Sequence, residues 1–330
     1  PDTLQFPNAL AVTHSGFGYE SSSISLFKNG KLMNILLAMI PAFLWGTTYA
    51  VTKYATPEWP PILLGAIRAL PAGLLLLLFK PSWPTAKQWP GIFLIGAINI
   101  ALFFSFIFVM AINLPAAIAG VGMVSVPVVA LLYAWLVKRQ QPALVQGFCA
   151  LALLVLAWRL FDPQHIALNL LGVVALIGAL LTIVIGSTLV KKVTAKVHWW
   201  TVLTWQLIIG GSLLAIAAMV QAFYFAPQQY QFLTASINTT QWLALFWLVV
   251  PNTALAYILY VWLLGRMTVV EFTFGTIANP IAGILCAGIL INEQYANWQY
   301  AIMLLMIVFS VLPQGLDLIK RRMMIQKARN

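Results

Sequence analysis

The sequence predicts an all-α fold: a polytopic membrane protein of ten transmembrane helices in two inverted five-helix repeats. Three observations predict it. Apolar residues make up 62% of the 330 positions and charged residues 8%, and the mean hydropathy of +0.93 is far above that of water-soluble domains. A span needs roughly 20 apolar residues to cross about 30 Å of hydrocarbon, and the chain divides into ten such runs. Finally, Trp242–Gln299 echoes Trp89–Gln146 at a gapless offset of 153, pairing Trp89/Trp242, Phe93/Phe246, Asn99/Asn252, Gly122/Gly275, Pro127/Pro280 and Gln146/Gln299. Apolar runs align by chance through Leu and Ala, so paired Trp, Asn, Pro and Gln mark an internal duplication.

Residues 1–32 are polar and lack the basic-then-apolar pattern of a signal peptide. They are read as an N-terminal arm or an added extension, with Met33 as an alternative start and ISLFKNGK as a short interfacial helix. The first repeat, residues 33–160, holds helices at about Asn34–Tyr54, Pro61–Phe79, Trp89–Ile112, Ala116–Val137 and Ala143–Leu160. The second, residues 161–318, holds Leu170–Val190, Trp199–Tyr224, Gln241–Leu264, Val270–Ile291 and Trp298–Leu316, and residues 319–330 form a basic tail. The first two helices of each half align at an offset of 138, pairing Lys53/Lys191, Thr56/Thr194, Arg68/Gln206 and Gly73/Gly211. The longer connection APQQYQFLTASINTT absorbs the difference. An odd number of spans per half inverts the second repeat, an arrangement suited to opening a central site to alternate sides.

The net charge of +11 follows topology and does not call for a nucleic-acid partner. Fifteen of the 18 basic residues, among them Lys80, Lys138, Lys191 and Lys320, fall on the even connections and tails, against Lys53 and Arg159 on the other side. Both termini are therefore expected in the cytoplasm. Cys149 and Cys286 lie within apolar helices and read as buried free thiols.

Asn99, Asn252, Asn279 and Trp45 fall near the bilayer middle, and Arg68 and Gln206 lie ~12 Å from the outer and inner surfaces. Such groups face a bundle interior or a wet cavity, where they line a path or bond helix to helix. Arg68 is an intramembrane charge whose carboxylate partner is Glu58, Glu293 or a substrate; the alternative is snorkelling to headgroups. Trp45, Tyr49, Phe104, Trp205, Tyr257 and Tyr260 lie within spans, either as packing or as a pocket for an apolar side chain or an ammonium group. Lys53 reads as an anchor, and Glu271 and Glu293 read as helix-end groups. Pro41, Pro71, Pro127, Pro251 and Pro280 are expected to interrupt helices, with Pro127, Pro280, Gly122 and Gly275 as hinge candidates.

The segments FLWGTTYAVTKY, AIRALPAG, TWQLIIGG, NTALAYILYVWLL and NPIAGILCAGILINEQ, in this order over about Asn34–Leu316, resemble the drug/metabolite transporter superfamily and its ten-helix EamA-type members. The resemblance implies alternating access through a central cavity of a bacterial inner-membrane protein carrying small metabolites, amino acids, amines or drugs. Amino-acid or related metabolite export is the leading expectation, and quaternary or primary amines are the alternative. The chain departs from the family pattern at Asn279 and Gln140, where Glu is usual, which leaves a uniporter or exchanger open. An intramembrane enzyme is disfavoured, because His14, His165 and His198 lie in the arm or loops and no HExxH, carboxylate pair or Ser/His constellation occurs in the spans, and the lack of a GxxxxGK[ST] loop disfavours ATP hydrolysis. No cofactor or metal is expected. A small-molecule substrate and membrane lipid are the expected partners, and the chain is read as a monomer or homodimer.

Overall fold

A computed structural model describes residues 29–137, 139–160, 169–234, 237–264 and 275–327. Every regular element among them is helical. They are α1 (Asn29–Ala55), α2 (Pro61–Phe79), α3 (Trp89–Asn113), α4 (Ala116–Leu136), α5 (Leu144–Leu160), α6 (Leu170–Thr194) and α7 (Trp199–Phe225). Then α8 runs from Thr239–Val249 through a π-helical turn, Val250–Leu255, into Ala256–Leu264, followed by α9 (Ala278–Ile291) and α10 (Asn297–Lys327). Six of these helices are long and apolar enough to cross a membrane: α2, α3, α4, α6, α7 and the Thr239–Tyr260 part of α8. Leu144–Leu160, Ala278–Ile291 and Asn297–Pro313 are shorter apolar helices. Large apolar side chains such as Phe79, Trp158, Phe223 and Ile289 stand exposed on the outside, the surface of a multi-pass protein solvated by lipid tails.

The boundaries differ from expectation at both ends. Helix α1 begins at Asn29, and α10 continues through the basic tail to Lys327. The interfacial helix expected at ISLFKNGK and the helix-end role of Glu271 lie outside the described residues, apart from the start of α1. Pro41 and Pro71 interrupt nothing: both sit inside continuous helices, as membrane helices permit when neighbours satisfy the freed carbonyls. Pro251 does mark a change, because it lies in the π-helical turn of α8. A second π-helical turn, Gly96–Leu102, interrupts α3 without a proline.

Among the described residues two large clusters form most of the core, with two small ones around Ala38 and Leu263 and around Ile92, Ile95, Val197 and Val202. One large cluster joins Tyr49 and Ala50 of α1 to α3, α4, α5, α6, α9 and α10 through residues such as Met110, Ile118, Leu153, Ala179 and Met303. The other large one joins α2, α3, α7 and α8 through Leu64, Ala69, Phe104, Phe108, Leu207 and Leu248. Helix α2 packs chiefly on α7, α1 on α9 and α8, α3 on α6 and α7, α4 on α9, and α5 on α10. A Cβ at Gly73 would meet Ile208 N at 2.8 Å and one at Gly211 would meet Leu70 N at 2.5 Å, so the α2–α7 crossing needs both glycines.

Connections gather at two ends. At one, Lys53 reaches Leu114 O and Glu293, and Asn169 bonds Asn113. At the other, Trp200 and Trp205 donate to Lys80 O and Ser82 O. Lys80, Lys87, Lys191, Lys192 and Lys196 belong to the second of these ends.

Candidate functional site

Helix α8 places Asn252 and Thr253 side by side in its π-helical turn, and both are fully buried. Across from them, α1 brings Thr47 and Thr48, also buried. The Thr48 hydroxyl donates to Asn252 Oδ1 at 3.2 Å. Asn252 Nδ2 donates to Leu44 O and, at 3.3 Å, to Thr47 Oγ1, which also receives Trp247 Nε1 at 2.9 Å. The Thr253 hydroxyl donates to Leu248 O at 2.8 Å. Every hydroxyl proton of Thr48 and Thr253 is thus committed away from the space between them.

Arg68 of α2 fills that space. It is 4% exposed. Its Nε donates to Thr253 Oγ1 at 2.7 Å, and Nη1 donates to Thr48 Oγ1 at 3.4 Å. The guanidinium lies over Phe104, 4.5 Å from Cζ to the ring centroid, with Phe108 at 5.9 Å. Tyr49 and Tyr257 stand within its electrostatic reach. Among the described residues the ion pair is Lys53 with Glu293, so Arg68 meets hydroxyls and ring faces but no carboxylate. The snorkelling alternative fails, because the side chain points into the bundle. The partners considered for it fail as well: Glu293 is engaged elsewhere and Glu58 is exposed. A buried cation held only by neutral groups is costly, and it attracts an anion that can enter.

The aromatic residues divide. Trp45 packs edge-on against Tyr257 and Tyr260, with centroids 5.4 Å away in each case, and Tyr49 is buried beside Gly120. Phe104 is fully buried beneath Arg68. Trp205 is not part of this group: its Nε1 donates to Ser82 O at 2.7 Å and its ring packs on Trp83 and Trp89 at the Lys80 end. Trp45 Nε1 and Asn279 Oδ1 are buried without a hydrogen-bond partner, and the α1 and α9 backbones meet there, since a Cβ at Gly46 would lie 2.1 Å from Asn279 O.

Asn99 and Gln206 form a separate buried pair, with Asn99 Nδ2 donating to Gln206 Oε1 at 3.1 Å. Asn99 Oδ1 lacks a partner and faces Gly186. At the hinge candidates the helices do change form. A 3₁₀ turn, Met123–Ser125, follows Gly122 and precedes Pro127, and a turn at Ile277 separates Gly275 from the helix containing Pro280.

At the Glu293 end the carboxylate is shared. Oε1 accepts from Ala116 N at 2.8 Å and lies 3.5 Å from Lys53 Nζ, while Oε2 accepts from Ala117 N at 3.2 Å and Tyr295 OH at 2.6 Å. Glu293 therefore has the expected helix-end role, at the start of α4, and Lys53 bridges instead of merely anchoring. Burial first, then the hydrogen bond to Glu293 and its charge, hold the Tyr295 phenol above its ordinary range. An opening of about 510 Å³, lined by Pro57, Glu58, Trp59, Gln228, Gln229, Gln231 and Gln241, lies at this end. A smaller apolar one of about 270 Å³ lies between Met39, Ile40, Phe43, Leu44 and Ala278. Neither reaches Arg68. The centre around Arg68 is still the stronger candidate, because its charge is 4% exposed, held by directed hydrogen bonds and, among the described residues, without a carboxylate. Among the described residues no three His, Cys, Asp or Glu gather as metal ligands. Both cysteines are free.

Thr48 and Thr253 are the functional candidates that sequence reasoning passed over. The signal was present: each neighbours a residue already singled out, in WGTTYA and NTALAY.

Residues 32–160 and 170–312 match the model of the EamA-like transporter family. The chain is 27% identical to protein PecM of Dickeya dadantii (strain 3937), over 84% of this chain and 91% of that one. It is 26% identical to the uncharacterized transporter sll0355 of Synechocystis, over 82% and 87%, and 24% identical to the uncharacterized inner membrane transporter YedA of Escherichia coli (strain K12), over 81% and 86%. A solved crystal structure superposes with a TM-score of 0.59 at 18% identity, over 87% of this chain and 98% of that one, a likeness of fold alone.

Proposed function

The chain belongs to the EamA-like transporter family, and from that membership we propose that it is a secondary or facilitative transporter of small carboxylate metabolites. Amino acids or close relatives are the favoured cargo, moved outward across a bacterial inner membrane. The observation that carries the substrate class is Arg68, a buried cation with two neutral hydroxyl acceptors and no carboxylate among the described residues. A substrate carboxylate would complete it, with Trp45, Tyr49, Tyr257 and Tyr260 beside the rest of the molecule. Amines are the weaker reading, since the face of Phe104 that would attract an ammonium group is already occupied by Arg68.

Two inverted five-helix repeats moving against each other would supply alternating access. Recurrent geometry supports the duplication. Arg139 and Asn292, 153 residues apart, both adopt φ 52°. Gln140 N bonds Ala134 O as Glu293 N bonds Ala287 O, and Gln146 caps Ala143 N as Gln299 caps Ala296 N. The π-helical turns around Asn99 and Asn252 correspond. Gly122 packs on Leu176 as Gly275 packs on Ala38, and Leu176 and Ala38 are themselves 138 apart. The basic Lys80 end is assigned to the cytoplasm with both termini. Arg68 itself is 4% exposed and lines neither of the two openings described above.

The test is flux in proteoliposomes with labelled neutral amino acids and quaternary amines in parallel. Arg68→Gln removes a charge-assisted contact worth about 1.5–3 kcal/mol, so amino-acid KM should rise about 10- to 100-fold at similar purified yield. Unchanged amino-acid flux, or amine flux alone, refutes the carboxylate reading.

A further inference from the structure

We propose that Thr253 and Thr48 are positioning residues that fix which edge of the Arg68 guanidinium meets a carboxylate, so that the π-helical turn of α8 is a specificity element. The inference rests on the carboxylate reading above.

An arginine offers five N–H donors in a planar fork, and a carboxylate is recognised best by two parallel bonds from one edge. Which edge is offered depends on what the other donors hold. Here Nε is held by Thr253 at 2.7 Å and Nη1 is touched by Thr48 at 3.4 Å. Among the described residues Nη2 has no hydrogen-bond partner, so with Nε held and one Nη1 N–H directed to Thr48, Nη2 and the second N–H of Nη1 are left for an incoming anion.

The two hydroxyls can act only as acceptors toward Arg68. Thr253 gives its proton to Leu248 O at 2.8 Å, five residues back, and Thr48 gives its proton to Asn252 Oδ1 at 3.2 Å. The π-helical turn Val250–Leu255 creates the first of these bonds, because it takes the backbone out of the i to i−4 register in which Leu248 O would be used. Ring contact with Phe104 sets the plane of the fork, and the hydroxyls set its rotation within that plane.

The duplicated half supplies an internal comparison. Arg68 corresponds to Gln206, Thr48 to Gly186 and Thr253 to Ile100. Where the cation is absent, both hydroxyls are absent with it, although the asparagine of the π-helical turn is kept as Asn99. General helix bonding would have no reason to lose the two threonines together with the arginine. A unit of three does.

The experiment is a double-mutant cycle in proteoliposomes, measuring KM and Vmax for a mixture of labelled neutral L-amino acids and, separately, for their carboxamides. Losing one neutral acceptor corresponds to about a three- to tenfold change. Thr253→Val should raise the amino-acid KM by that factor and leave Vmax within about twofold. Thr253→Ser, which keeps the acceptor, should restore it, and Thr253→Val in the Arg68→Gln background should add nothing. Carboxamide flux should not respond to Thr253→Val. An equal KM increase in both backgrounds, or failure of Thr253→Ser to restore, overturns the positioning role while Arg68 keeps its own. Arg68→Gln without effect, or no saturable amino-acid flux by the unaltered protein, overturns the carboxylate reading and this inference with it.

Discussion

Replacing Glu293 by Ala should destabilise the protein more than any other single change at that end. The carboxylate satisfies two backbone N–H groups, Ala116 at 2.8 Å and Ala117 at 3.2 Å, which begin α4 and have no partner within their own helix. Losing such a cap costs about 1 kcal/mol, and losing a negative charge at a helix N-terminus costs about 0.5 kcal/mol more. The Tyr295 hydroxyl, 2.6 Å from Oε2, loses an acceptor worth about 1 kcal/mol. The Lys53 contact is 3.5 Å long with side-chain exposures of 31% and 15%, so it contributes only about 0.5 kcal/mol. Together these approach about 3 kcal/mol, or about 5 °C in Tm for a chain of this length. Thermal unfolding in detergent micelles reads the order directly. Glu293→Ala should fall furthest, Glu293→Gln about half as far because an acceptor oxygen remains, and Lys53→Met about 2 °C, since its bond to Leu114 O goes as well, with only the ion-pair part of that last loss vanishing in 1 M salt. If Lys53→Met equals Glu293→Ala, or if Glu293→Ala unfolds within about 1 °C of the unaltered protein, the capping argument is wrong.

Other outcomes are read in similar assays. Gly46→Ala would put a Cβ 2.1 Å from Asn279 O and 2.8 Å from the Ala282 Cβ; backbone cannot yield cheaply, so yield and Tm should fall sharply, by at least about 1–3 kcal/mol. Gly147→Ala, with nothing within 4 Å, is the control and should be neutral or slightly stabilising. The raised Tyr295 value means that its stabilising contribution is complete below the unfolded value near 10 and is lost as pH rises through the folded one. Between pH 9 and 11 the unaltered protein should therefore lose more Tm than Tyr295→Phe; parallel losses would remove Tyr295 from the argument. Pro280→Ala should change the exchange rate more than equilibrium binding if the break at Ile277 moves during transport, and equal effects would count against a hinge.

The helices were legible because their signal is compositional: lipid contact demands long apolar runs whatever the packing. Arg68 was legible because one charge in such a run needs an explanation. Its two partners were not. Threonine in a membrane helix usually bonds its own preceding turn, as Thr188 does to Val184 O and Thr182 to Gly178 O, and nothing in the letters distinguishes Thr48 or Thr253 from these. What distinguishes them is the meeting of α1, α2 and α8, a tertiary fact. The π-helical turn is similar. Pro251 announces a disturbance, yet the same turn forms in α3 without proline, so the residue type does not specify it. Trp205 differs again: its place within a span is legible, but not the end to which its indole N–H turns, which Ser82 O at 2.7 Å fixes.

The two halves share a backbone plan more closely than they share chemistry, and the differences fall on one side. Arg68, Thr48, Thr253, Lys53 and Glu293 form the charged and charge-holding set, and most of their counterparts are neutral: Gln206, Gly186, Ile100 and Gln140. Lys191 alone keeps its charge. Under the alternation proposed above, opening the Glu293 end must separate a carboxylate from two helix N–H groups, a phenol and an ammonium. Among the described residues, opening the Lys80 end separates hydrogen bonds between neutral groups, Trp200 to Lys80 O, Trp205 to Ser82 O and Ser82 to Thr201, and the contact of Lys80 Nζ with the Trp200 ring. On the proposed inverted repeats the two openings would be geometrically alike, and the unequal side chains would make them energetically different. The relative population of the two states should then respond to Glu293→Gln far more than to Gln140→Ala, and equal responses would show that the duplicated ends work as equals despite their chemistry.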